Sequence, residues 1–234
     1  MPVEDEDTVE RASQYARDNG KKISKELTER FASEEHPVSI FMAGSPGAGK
    51  TEASKRLLKN KGHILRIDAD ELRCHFGEFG YDGTNSHFFQ KPATKLVHTI
   101  HNAALGRKIS FLLDGIFADE KMAKQNIERS LQRKRSVFIL FVYQFPQAAW
   151  KFVQEREIVE GRRIRAEDFA KKFCDSRKVV NRMKAEFGKE ITLMLLQKSI
   201  DGTDKMFKKS IERIDDHIPE KYNEEKILRE INAS

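Results

Sequence analysis

Eight residues, Gly44-Ser45-Pro46-Gly47-Ala48-Gly49-Lys50-Thr51, fit the spacing GxxxxGK[ST]. Glycines there let backbone N–H groups close round phosphates. A helix starting behind the loop adds partial positive charge at its N-terminus. Lys50 would reach the terminal phosphates, and the Thr51 hydroxyl would ligate Mg²⁺. The stretch from Gly44 to Glu52 is therefore read as nucleotide-binding. In a chain of 234 residues, a chance match is roughly a 1% event. The loop alone leaves its purpose open. A nucleotide can be burned for motion, read as a switch, or used to phosphorylate something.

Carboxylates follow at places where a parallel α/β sheet binds ligands. RIDADEL carries Asp68 and Asp70, two residues apart, so an extended backbone would point both the same way. One could take a proton from a substrate hydroxyl while the other orients it or supports the metal. The alternative is an acidic turn, or a cap for a helix near Glu71. FLLDG ends in Asp114, placed to close a metal and phosphate site, or else to shape the turn before Gly115.

Positive charge comes from AAWKFVQEREIVEGRRIRAEDF. Arg156, Arg162, Arg163 and Arg165 fall on a helix and the turn at Gly161, a pattern that suits a lid over a moving phosphate. Arg162 and Arg165 are assigned to a solvated face. Arg133-Lys134-Arg135 reads as surface charge at a helix C-terminus. His98 and His101 lie on a long helix, where histidines are more often structural than catalytic.

The elements that must position these groups are legible as apolar runs. VSIFMA, ILRI, ISFLLD, VFILFVY and ITLMLLQ are nearly continuous, as expected of strands buried on both faces. Helical segments separate them: Thr51 to Asn60, about Ser86 to Leu105, Ala118 to Gln132, and two between Pro146 and Phe187. This alternation predicts α/β architecture, a parallel sheet with helices on both faces. Asp7 to about Phe31 reads as a helix capped at Asp7 and interrupted at Asn19-Gly20. Lys205 to Asn232 reads as mostly helical, with Phe207, Ile211, Ile214 and Ile218 at helical spacing.

Composition narrows the class. Hydrophobic residues make up 38% and charged residues 34%, with net charge +6. That excess suits anionic ligands in general. No apolar run approaches the roughly 20 residues that span a bilayer, so no membrane is expected. The acidic start MPVEDEDTVE lacks a signal pattern. Cys74 and Cys174 are too few for a disulfide framework and lack metal-ligand spacing. The expectation is a cytoplasmic protein.

Taken in order, GSPGAGKT, IDADEL, LLDG and the arginines of QEREIVEGRRIRAEDF resemble the zeta toxin family of kinases, over about residues 38–187. The resemblance implies a P-loop NTPase-type three-layer fold with a mainly parallel five-stranded sheet. Residues 1–36 would be an N-terminal helical segment, 37–200 the kinase core with a lid near 155–168, and 201–234 a C-terminal helical extension.

It also implies ATP, with GTP still open, as phosphate donor to a hydroxyl of UDP-N-acetylglucosamine, and Mg²⁺. By motif, Lys50 and Thr51 match the nucleotide and metal positions. Asp70 matches the general base, and Asp114 an acidic position where better-known members carry glutamate. Arg156 and Arg163 match the arginines on the transferring phosphate. Asp68, Asp70, Arg73 and His98 are placed on the substrate side. The chain departs from the family on that side: His98 stands where glutamate is expected, and Ile116 and Ala118 where threonine and arginine are.

The family's members are toxins, which makes a protein antitoxin the implied partner. Two other readings stay open: a kinase of a nucleoside or nucleic acid end, and a nucleotide-gated NTPase or interaction module. No nucleic-acid-binding module is legible beside the core, which counts against the first. An aspartate opposite a basic lid suits an acceptor hydroxyl better than a bare water, which counts against the second.

Overall fold

The apolar runs become strands because each is covered on both faces. The structure is a computed structural model that describes residues 3–59, 61–115, 117–160 and 164–233. In chain order it contains α1 (Val3–Thr28), β1 (Val38–Ala43), α2 (Lys50–Lys59), β2 (Leu65–Asp68) and the single turn α3 (Ala69–Leu72). These are followed by α4 (Gln90–Gly106), β3 (Phe111–Asp114), α5 (Glu120–Leu131), β4 (Ser136–Tyr143) and α6 (Pro146–Glu160). The chain closes with α7 (Ala166–Phe187), β5 (Ile191–Lys198), β6 (Asp204–Lys208) and α8 (Glu224–Asn232).

The strands run in the order β2-β3-β1-β4-β5-β6. Pairs from β2 to β5 are parallel, and β6 is antiparallel to β5. Alternate residues feed two cores. Phe41, Phe111, Ile139 and Leu193 point into the larger one, with Leu96 and Ile100 of α4, Ile127 of α5 and Phe169 of α7. Ile40, Met42, Leu112 and Leu140 point to the other side, against Ala53, Leu57 and Leu58 of α2.

Three expectations are corrected. The sheet has six strands, because Asp204–Lys208 is an edge strand rather than the start of a helix. Phe207 is exposed on that strand, while Ile211, Ile214 and Ile218 are buried in the irregular stretch after it. Their helical spacing reflects burial without an α-helix, Ile214 opening a short 3₁₀ turn (Ile214–Asp216); only Glu224–Asn232 is α-helical there.

Second, α1 runs unbroken through Asn19-Gly20 and is already helical before Asp7. A mid-helix glycine costs about 1 kcal/mol. Packing offsets it: a β-carbon on Gly20 would lie 3.4 Å from Thr99 Oγ1, so the missing side chain lets α1 lie close against α4.

Third, Arg135 is not surface charge. It is buried, donates to Ser39 Oγ and to the carbonyls of Val38 and Ile109, and lies 4.9 Å from the Phe111 ring centre. It thus ties the entries of β1 and β3 together.

His101 is structural. It is buried edge-on to Phe111, 4.7 Å between ring centres, and its Nε2 has no hydrogen-bond partner among the described residues. Burial, and then Arg129, pulls its pKa down to about 3. The folded state therefore stays neutral while the unfolded chain takes up a proton below about pH 6.5. Stability is lost as pH falls through that window, by about 1.4 kcal/mol per pH unit. His101→Leu should lose roughly 2 kcal/mol less than wild type between pH 6.5 and 5 in urea melts. Equal losses in the two proteins would refute the assignment.

Candidate active site

Parallel register brings the site together. β2 and β3 pair Asp68 with Asp114, so the two carboxylates end their strands side by side. β1 lies next to β3 and leads straight into the glycine loop.

The loop is held by backbone contacts that exclude side chains. Gly44 has φ +133° and Gly47 φ +71°. A β-carbon on Gly44 would meet Val142 O at 2.3 Å, and one on Gly47 would meet Ala149 O at 2.0 Å. Those oxygens belong to β4 and α6, so the loop is wedged between strand and helix. Lys50 Nζ donates to the carbonyls of Gly44 (3.0 Å) and Ser45 (2.6 Å), curling over the loop it would share with a phosphate. Thr51 lies in the first turn of α2. Beside the loop, buried Lys198 pairs with Asp204 of β6 at 2.9 Å, and Arg56 of α2 holds the same carboxylate.

Asp68 and Asp70 do not point the same way, which corrects the expectation of an extended pair. Asp68 ends β2, and Asp70 already belongs to the α3 turn. Asp68 Oδ1 accepts the N–H of Asp70 at 2.9 Å, an N-cap. Its Oδ2 accepts from Arg66 Nη2 at 2.5 Å. The alternative of a helix cap is the one the geometry realises. Burial, then the neighbouring Asp114 carboxylate, pushes the Asp68 pKa up to about 6.

Asp114 is 6% exposed, and its Oδ2 accepts from Arg66 (2.7 Å) and Ser54 Oγ (3.0 Å). Asp70 is more open. Buried Arg73 donates to its Oδ1, and Arg156 of α6 stands 3.7 Å from its Oδ2. Arg73 also donates to Gln90 at the start of α4.

His98 is not brought to this cluster. It lies eight residues beyond Gln90, about 12 Å along α4 at ~1.5 Å per residue. There it faces Arg129, and burial followed by that charge lowers its pKa. Arg165 pairs with Asp168 at 2.9 Å on the surface, the solvated role expected of it. Gly161, Arg162, Arg163 and Ile116 lie outside the described residues.

Motif spacing does not single out Arg66, Ser54 or Lys198. Arg66 did carry a signal. A charged residue inside an apolar run must be paired or solvated, and acidic residues follow it directly.

A metal ion here would rely on few protein ligands. Among the described residues, no group of three or more His, Cys, Asp or Glu could hold one. A single hydroxyl (Thr51) and a single carboxylate (Asp114) fit Mg²⁺ that is bound mainly through phosphates.

The family model described as zeta toxin matches residues 9–209. The chain belongs to the zeta toxin family. It is a phosphotransferase. Among solved structures, one from the PezAT toxin–antitoxin system of Streptococcus pneumoniae superposes with TM-score 0.66 at 15% identity, covering 94% of this chain and 98% of that one. The AvrRxo1-ORF1:-ORF2 complex with ATP gives 0.59 at 17% identity, over 87% and 66% of the two chains. The Pnkp1/Rnl/Hen1 RNA repair complex gives 0.53 at 15%, over 64% of this chain and 47% of that one. At these identities the likeness is one of fold. No curated protein matches the chain significantly. Among the described residues, no helix is long and apolar enough to cross a membrane.

For this zeta-family chain, the wedged loop yields a direct test. Gly47→Ala must strain the backbone and push α6 away. A left-handed non-glycine residue alone costs about 1–2 kcal/mol, so nucleoside triphosphate affinity should fall about tenfold or more. Unchanged affinity by calorimetry would show that the loop tolerates a side chain.

Proposed function

We propose that the protein transfers the γ-phosphate of ATP to a hydroxyl of a UDP-amino sugar such as UDP-N-acetylglucosamine. The observation that carries the acceptor side is the grip on Asp70, with Arg73 on one carboxylate oxygen and Arg156 near the other. An acceptor hydroxyl bound at Asp70 would sit beside a lid arginine, where phosphoryl transfer needs both a proton acceptor and positive charge.

In this reading the Gly44–Thr51 backbone cradles the phosphates. Lys50 exchanges its bonds to the loop carbonyls for phosphate oxygens. Thr51 and Asp114 would hold Mg²⁺, which when bound would neutralise charge on the β- and γ-phosphates. Asp70 accepts the proton of the attacking hydroxyl. Arg156, with Arg163, stabilises charge that spreads over the transferred group. Asp68 serves Asp70 as the cap of its helix turn, and Arg73 fixes the Asp70 carboxylate. Residues 37–200 would form the catalytic unit, with its lid near 155–168.

Two of the structural neighbours, one from a toxin–antitoxin system and one a two-protein complex, support a toxin role with a protein antitoxin as partner.

The protein incubated with ATP, Mg²⁺ and UDP-N-acetylglucosamine should yield a sugar nucleotide heavier by one phosphoryl group. Asp70→Asn should lower that rate by about 10²-fold or more, with ATP affinity kept. Absence of product with the wild type would refute the acceptor, and undiminished transfer by Asp70→Asn would refute the base. In cells, expression should arrest growth and Lys50→Ala should relieve the arrest. Arrest that persists with Lys50→Ala would separate toxicity from phosphoryl transfer.

A further inference from the structure

Arg66 is the one charged residue inside the apolar run of β2, and its side chain is 10% exposed. All three of its nitrogens are engaged. Nε donates to Ser54 Oγ at 3.1 Å. Nη2 donates to Asp68 Oδ2 at 2.5 Å and to Asp114 Oδ2 at 2.7 Å. Nη1 donates to Glu71 at the rim. These partners come from α2, β2, β3 and α3.

Three of these contacts lead to groups in the proposed mechanism. Ser54 lies one helical step beyond Thr51. Asp114 is the metal-side carboxylate. Asp68 caps the turn that carries Asp70. The register that sets Asp68 beside Asp114 would force two buried carboxylates together. Such a pair must share a cation, take up a proton or move apart. Arg66 supplies the cation from within the chain.

We propose that Arg66 is a positioning residue, a resident counter-ion that Asp68 and Asp114 share before the magnesium nucleotide arrives. It commits Asp114 Oδ2 to the protein and leaves Oδ1 for the metal side. It also fixes the capped turn that aims Asp70. The nucleotide-free site therefore holds its two carboxylates together without a divalent ion. This inference rests on the roles given above to Asp70 and Asp114.

The test compares wild type, Arg66→Met and Arg66→Lys. Thermal melting without nucleotide is followed in MgCl₂ and in KCl of equal ionic strength. Wild type should melt alike in both. Arg66→Met should melt lower and be raised by MgCl₂ alone, because its two carboxylates now need an ion.

In turnover with ATP and the sugar nucleotide, Arg66→Met should lose about 10²-fold in kcat, as expected for misplaced groups. KM for ATP should change little. Arg66→Lys keeps the charge but not the planar fork. It should ignore MgCl₂ in melting yet fall in kcat. Should Arg66→Met fail to fold, Arg66→Lys alone decides: wild-type kcat in that variant overturns the positioning role. An Arg66→Met protein that folds and melts alike in both salts overturns the counter-ion. The melting arms need no acceptor, so they stand even if UDP-N-acetylglucosamine proves to be the wrong substrate.

Discussion

A guanidinium buried between two strand ends is the contact on which the site depends. Arg66 meets Asp68 and Asp114 where β2 and β3 finish in register. A charge this buried is stable only when paired and fully hydrogen-bonded. The pairing fixes where both strands stop and where the α3 turn begins, because Asp68 is at once ion-pair partner and cap. Its Oδ1 aims Asp70, while Ser54 ties the cluster to α2 and so to the phosphate loop. One charge thus sets the relative position of groups drawn from four elements.

The rest of the fold serves that arrangement. Parallel pairing lines up the carboxyl ends of β1, β3 and β2 along one edge of the sheet, the edge at which such folds bind ligands. On the other side of β1, the end of β4 and the start of α6 press against Gly44 and Gly47. The phosphate loop and the helix that carries Arg156 are therefore mechanically joined. At the opposite edge Arg135 ties β1 to β3, so strand register is held from both ends.

Much of this was legible in the sequence, and the exceptions have physical causes. The five runs that became β1 to β5 were readable because strands buried on both faces need near-continuous apolar residues. β6 escaped notice because an edge strand with one solvated face carries a weak, charged pattern, as in Asp204-Lys205-Met206-Phe207-Lys208. The isoleucines after it mimicked a helix because burial alone can space residues that way. α1 crossed Asn19-Gly20 because tertiary contact with α4 outweighs a local preference.

Within the site, Lys50, Asp70 and Asp114 were visible from motif and position. Arg66 was signalled only by its place in an apolar run, and Lys198 not at all, since each draws its meaning from carboxylates that the fold brings to it. Asp68 was half legible, for its cap and its ion pair both depend on a turn that two residues of extended chain do not foretell.

If the loop, Asp70 and α6 form a site for two substrates rather than for hydrolysis, ADP formation must depend on the acceptor. The most direct measurement is ADP formation at saturating ATP, with and without UDP-N-acetylglucosamine, alongside the yield of phosphorylated sugar. ADP should appear only slowly without the sugar nucleotide. With it, ADP should rise in one-to-one proportion to product. ADP formed equally fast in both, with no phosphorylated sugar, would contradict a two-substrate site.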